Sequence, residues 1–264
     1  FLVSWITSRK ADSNSYFLGN KKSPWPIVAY GMVGTSISGV TFISVPGNVM
    51  NENFFYMPLV LGFVIGYVVI AKVLLPLYYK MNVTSIYSYL ESRFGFSTYK
   101  TGAAVFMVSR VLGAAVRIFM VVLVLHTFLP PGSVPFWVVA AVFMFLIFLY
   151  TFKGGVKTII WTDVLQTTFM LLAVVLTVIS ISNRMDWNFA EMTKAVTATD
   201  YSRWFNWDWS ASNNAVKQFI SGIFITIVMT GLDQEMMQKN LSCKNIGSAQ
   251  KNIYSTSIIL VVVN

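Results

Sequence analysis

Long apolar stretches alternate with short polar ones along the chain, and this alternation predicts its elements. Runs at about 27–50, 55–79, 101–129, 135–152, 158–182 and 215–233 carry little strong charge, and a seventh begins near 253. Crossing about 30 Å of hydrocarbon takes roughly 20 apolar residues in a helix, which these runs approach or exceed. No ten-residue apolar/polar alternation of the kind that builds a membrane barrel is present, so the expected structure is helical. Pro130 and Pro131 end the third run, because proline lacks an amide donor and clashes with the preceding turn. Gly154 and Gly155 mark a tight turn between the fourth and fifth. The sequence VTSIYSYLESRFG at 83–95 is amphipathic and is expected to lie at the membrane surface, and residues 183–213 read as a long loop.

Composition strengthens this picture. Of 264 residues, 56% are hydrophobic and only 11% are charged, where a soluble domain carries about 25% charged residues. The chain is expected to be an integral protein of a bacterial inner or plasma membrane, embedded in the lipid bilayer. A net charge of +9 would suggest nucleic acid in a soluble chain, but basic residues accumulate in the cytoplasmic loops of membrane proteins, and no nucleic-acid partner is expected. Twelve basic residues, among them Lys80, Arg93, Lys153 and Lys239, fall on one side of the predicted spans, against Arg184, Lys194 and Arg203 on the other. The first side is therefore assigned to the cytoplasm. The loop bearing Trp187, Trp204, Trp207 and Trp209 then lies outside, where indoles suit the membrane–water boundary.

One cysteine, Cys243, allows no internal disulfide, and one histidine, His126, allows no histidine-built metal centre. No phosphate-binding or dinucleotide-binding glycine loop is present, and no nucleophile–base constellation suggests an enzyme. Residues 1–6 read as the end of a helix and the chain stops inside an apolar run, so it is expected to be part of a longer one.

Three places could carry chemistry. In the first span Gly31, Gly34, Gly39, Pro46 and Gly47 interrupt the apolar run, while Thr35, Ser36, Ser38 and Thr41 add hydroxyls at mid-membrane. A break near the SISG stretch at 36–39 would aim carbonyls and hydroxyls at a small hard cation. Close packing through small residues explains the same pattern. Arg110 and Arg117 are seven residues apart in the third span and share one face. Each costs about 2.5–3.5 kcal/mol at the bilayer centre, so each either recognises a solute carboxylate or pairs with a neighbouring helix. Asp163 reads as the start of the fifth helix, where its carboxylate would face a helix N-terminus. Asp233 and Glu235 read equally well as solvated anchors beside Lys239.

Five stretches resemble the sodium:solute symporter family. They are YFLGNKKSPW at 16–25, GTSISGVTFISVPG at 34–47, PLYYKMNVTSIYSYLESRFG at 76–95, YTFKGGVKTIIWTDVLQ at 150–166 and GLDQEMMQKNLSCKN at 231–245. The resemblance implies an all-α, polytopic membrane protein with part of the LeuT-like five-plus-five inverted-repeat fold. Residues 1–6 would end an extra N-terminal helix, 7–26 form a cytoplasmic loop, 27–182 the first five-helix repeat, 183–213 an extracellular loop and 214–264 the start of the second repeat.

It also implies sodium as the coupling ion, held by the main-chain carbonyls of Gly34 and Ile37, with partner hydroxyls on an eighth core helix beyond Asn264. No other cofactor is implied. Ser36 aligns with an acidic residue of a proline carrier, and Thr41, close to Ser38, with a solute-contacting glutamine of a sugar carrier. Met229 aligns with that carrier's inner gating tyrosine. Asp163 matches an aspartate linked to inward sodium release. The arginine with which a sialate carrier holds its solute falls between Arg110 and Arg117. Together these imply sodium-driven import of a small solute, favoured to be an organic anion, by alternating access. The alternative is a membrane sensor module of the same fold fused to a signalling kinase.

Overall fold

A computed structural model describes residues 21, 23–37, 39–81, 85–130, 132–151 and 155–264. The first apolar run forms two helices, α1 (Trp25–Ser36) and α2 (Gly39–Glu52). At about 18 Å and 21 Å neither crosses the hydrocarbon alone. Three single helices are long and apolar enough to span, namely α3 (Met57–Met81), α5 (Phe96–Thr127) and the Ile159–Met185 part of α7 (Gly155–Met185). Between them lie α4 (Ile86–Phe94), capped by the Ser85 hydroxyl on the Ser88 amide, and α6 (Phe136–Thr151). The amphipathic stretch at 83–95 thus forms a helix, α4.

The expected loop at 183–213 is corrected, because it contains a helix, α8 (Phe189–Thr197). Asn188 and Glu191 close a reciprocal capping box at its start, which stabilises a turn that apolar periodicity does not reveal. Farther along, Trp204 tilts against Phe54, Trp207 stacks on Phe205, and the Lys217 ammonium lies over the Trp209 ring.

The sixth run also breaks. Helix α9 (Ala215–Gly231) ends in a π-turn, and α10 (Gln234–Leu241) leaves it at 68°. Asp233 caps α10 by accepting from the Met236 amide at 3.0 Å. Helix α11 (Ile246–Val263) follows, starting about two turns earlier than the apolar run suggests because Asn245 caps it through the Ser248 amide.

Helix α3 packs along α9 with its backbone close to its neighbour's. A Cβ on Gly62 would strike the Phe219 carbonyl, and one on Gly222 the Leu59 carbonyl. Helix α1 lies between α7 and α11, and its buried face joins Tyr67, Ile70 and Ile253 in the main apolar core. Side-chain amides tie these elements: Gln250 donates to the Ala71 carbonyl in the π-turn of α3, and buried Asn252 donates to Asn240 on α10 at 2.6 Å. The entry to α1 is fixed by the Ser23 amide donating to the Ser242 carbonyl. Cys243 beside it is fully buried, and burial pushes its thiol up to about 12.

Because even a methyl group has no room there, Gly62→Ala and Gly222→Ala should each destabilise the purified protein by about 1–3 kcal/mol. Gly113→Ala, whose added carbon meets nothing within 4 Å, should not. Thermal melting in detergent compares the three. Cys243 should resist maleimide at neutral pH until the protein unfolds, since only about one thiol in 100,000 is ionised at pH 7 for such a pKa and none is exposed.

Candidate functional site

The site grows from the end of α1. Ile37 leaves the helix with φ −98° and ψ 109°, an extended conformation, and its amide makes the last return bond, to the Val33 carbonyl at 2.9 Å. The carbonyls that follow lie in the last turn of α1, where α-helical partners run out. Gly34 uses one lone pair to accept from the Gln166 side-chain amide at 3.1 Å. A carbonyl oxygen has two lone pairs, so one accepted bond does not by itself saturate Gly34. The Ser36 hydroxyl turns back to the Met32 carbonyl at 2.9 Å and also meets the Tyr67 hydroxyl, which reaches Thr230. Ile37 is buried.

The small residues of α1 do two things at once. Gly31 and Gly34 let α1 lie directly on α7, where a Cβ on Gly34 would overlap the Thr167 hydroxyl. That hydroxyl, itself fully buried, bridges the Asp163 carbonyl at 2.7 Å and the Tyr30 carbonyl at 3.2 Å. The broken helix and the small-residue packing, two readings of one sequence pattern, are both realised.

Asp163 requires correction. It sits more than two turns inside α7 rather than at its head, so the helix N-terminus does not explain it. Its carboxylate faces α1 and α10, accepting from the Thr35 hydroxyl at 3.0 Å and from the Lys239 ammonium at 2.6 Å. Lys239 also donates to Thr35 at 2.8 Å and to Glu235 at 2.9 Å. Its side chain is 2% exposed, so this lysine, counted among the basic residues of the cytoplasmic side, is a buried cation with all three protons placed. Glu235 remains about half exposed. Breaking a buried pair of this kind by removing one partner typically costs about 3–5 kcal/mol.

The two membrane arginines separate. Arg110 lies over the Phe106 ring and forms an ion pair with Asp233, the residue that caps α10 at the second helix break. Arg117 is exposed on the same helix and has no ion pair among the described residues. Met229, 58% exposed, sits in the π-turn of α9, just before that break. Thr41 is half-buried near the start of α2. Ser38 lies outside the described residues. His126 donates from Nε2 to the Val134 carbonyl, 3.0 Å away, and packs on Phe136, a structural setting.

Two interrupted helices facing long continuous ones, with polar groups gathered at the interruptions, place the chain in the all-α, LeuT-like fold class. The chain belongs to the sodium:solute symporter family, whose model matches residues 16–264. It is 24% identical to the sodium/sialic acid symporter NanT of Aliivibrio fischeri, over 98% of this chain and 51% of that protein. It is also 24% identical to the mouse sodium-coupled monocarboxylate transporter 1, over 95% of this chain and 41% of that protein. A solved Na+-coupled sialic acid symporter, in a substrate-bound outward-open state, has the same fold, with a TM-score of 0.84 at 23% identity over 99% of this chain and 56% of its own. The chain thus spans about half the length of the relatives it matches.

The double duty of Asp233 can be divided by substitution. Asp233→Asn keeps a capping oxygen and loses the charge, whereas Asp233→Ala loses both and should cost about 1 kcal/mol more. Melting temperatures of the two variants measure the difference.

Proposed function

We propose that the protein is a sodium-coupled symporter that moves a small solute inward by alternating access. The observation that carries this reading is the break after Ser36: it presents main-chain oxygens of α1 beside the polar face of α7 that bears Asp163, Gln166 and Thr167. Sodium is held by the main-chain carbonyls of Gly34 and Ile37 with the Ser36 hydroxyl nearby, and Asp163 stands on its release path. The solute lies against the faces of α2, α5 and α9 that carry Thr41, Arg117 and Met229, with Ser38 as a further contact.

Coupling in this arrangement is linkage. An ion that organises the broken helix improves solute affinity, and the solute improves ion affinity by the same factor, about 5- to 150-fold for a typical coupling. The guanidinium on α5 favours an organic anion, because its planar fork suits a carboxylate. Family membership alone does not, since the family resemblance extends to sugar carriers. Of the two arginines, Arg117 is the better solute ligand and Arg110 the better structural partner, because the Asp233 carboxylate already occupies Arg110. No observation favours the kinase-fused sensor, and the relatives named are carriers.

Uptake by the intact protein in proteoliposomes, with sialic acid, a short monocarboxylate and a neutral hexose as probes, tests both statements. Transport should require sodium and disappear when potassium replaces it. Arg117→Ala should weaken apparent affinity for the transported solute by about tenfold or more with little loss of protein yield, the worth of one charged hydrogen bond. Arg110→Ala should mainly lower yield. Uptake indifferent to sodium overturns the symport reading.

A further inference from the structure

The cluster below the first break holds a cation already. The Lys239 ammonium is surrounded by oxygens from three separate elements, Thr35 Oγ1 of α1, Asp163 Oδ2 of α7 and Glu235 Oε1 of α10, at 2.6–2.9 Å. Two carboxylates against one ammonium leave the cluster one negative charge in excess, with Arg110 and Arg117 acting on its Glu235 side. Thr35 directly follows Gly34, and Asp163 lies one helical turn from Gln166, which holds the Gly34 carbonyl. The ammonium and an ion leaving the Gly34 region therefore face the same hydroxyl and the same carboxylate.

We propose that Lys239 is a tethered cation that competes with sodium for Asp163 and Thr35, and so weakens sodium binding on its inward route; this rests on the symport reading above. An ammonium on Asp163 Oδ2 and Thr35 Oγ1 and an alkali ion on the same two groups would lie within a few ångströms of each other, and their repulsion opposes joint occupancy. When sodium arrives, Lys239 retreats along its flexible stem toward Glu235, the partner on its own helix and the one nearest solvent. When Lys239 returns, it neutralises Asp163 and leaves the departing ion no strong ligand. Glu235 thus serves as a parking place, and Lys239 is a positioning residue for Asp163 rather than a ligand of the solute.

The sign of the effect separates competition from simple structural support. Equilibrium binding of radioactive sodium to the intact protein in lipid nanodiscs is measured for the wild type, Lys239→Gln and Lys239→Arg. Removing an opposite charge within 4–6 Å changes a carboxylate's cation affinity by about one to three decades, so Lys239→Gln should tighten sodium binding by on the order of tenfold. Lys239→Arg should stay near wild type. Unchanged or weaker binding by a folded Lys239→Gln overturns the proposal.

A second measurement needs no variant. Labelling of the wild-type Lys239 amine by an amine-reactive ester, read by peptide mass spectrometry, should rise when sodium replaces choline. Equal labelling in the two salts overturns the proposal even where Lys239→Gln does not fold. Wild type that binds no sodium overturns the symport reading and this inference together, whereas sodium binding by the wild type with no change in Lys239→Gln overturns this inference alone.

Discussion

Inside a membrane every backbone polar group that leaves a helix needs a partner from the protein itself, and this constraint organises the molecule. The chain breaks two helices, after Ser36 and after Gly231, and supplies each break with polar side chains. Gln166 meets the first through the Gly34 carbonyl, and Asp233 meets the second by capping α10. The first solution draws on a neighbouring helix, whereas the second is local, with Asp233 of the break itself as the cap and Arg110 of α5 pairing with it from outside. The first break is thus a statement about α7 as much as about α1.

The same constraint explains why packing and polarity are interleaved. Helix α7 can offer Asp163, Gln166 and Thr167 to α1 only because Gly31 and Gly34 bring the two backbones together. Larger residues at those positions would push α7 outward and take its donors beyond hydrogen-bond reach. On the other side of the molecule Gly62 and Gly222 hold α3 against α9, which seats Tyr67 beside Ser36 and Thr230. Gly31, Gly62 and Gly222 therefore set the geometry of the polar site by close packing, while Gly34 also enters it through its carbonyl.

What was legible in the sequence follows from how local each signal is. The first break was readable because glycine, serine and threonine interrupt an apolar run within a few residues, and the capping box of α8 is equally local, although it lies hidden in a polar stretch. The second break leaves almost no trace, since Gly231, Leu232 and Asp233 resemble an ordinary helix end followed by a loop. The burial of Lys239 is illegible for a stronger reason. A lysine in a polar stretch next to two acids carries no local mark of burial, because its partner Asp163 lies 76 positions away. Asp163 was misplaced relative to its helix because the run of apolar residues begins later than the helix does.

That contrast bears on how charge functions in this fold. Arg110 and Lys239 both end on acids beside the second break, Asp233 and Glu235. Helix α10 therefore gathers positive charge from α5 through its cap and spends its own lysine on α1 and α7. A rotation of α10 would disturb both pairs at once, since Asp233 and Lys239 lie on either end of eight residues of helix. The solute contacts proposed near α5 and the ion contacts proposed near α7 would then share one mechanical element, which is the kind of physical connection that linkage between two ligands requires.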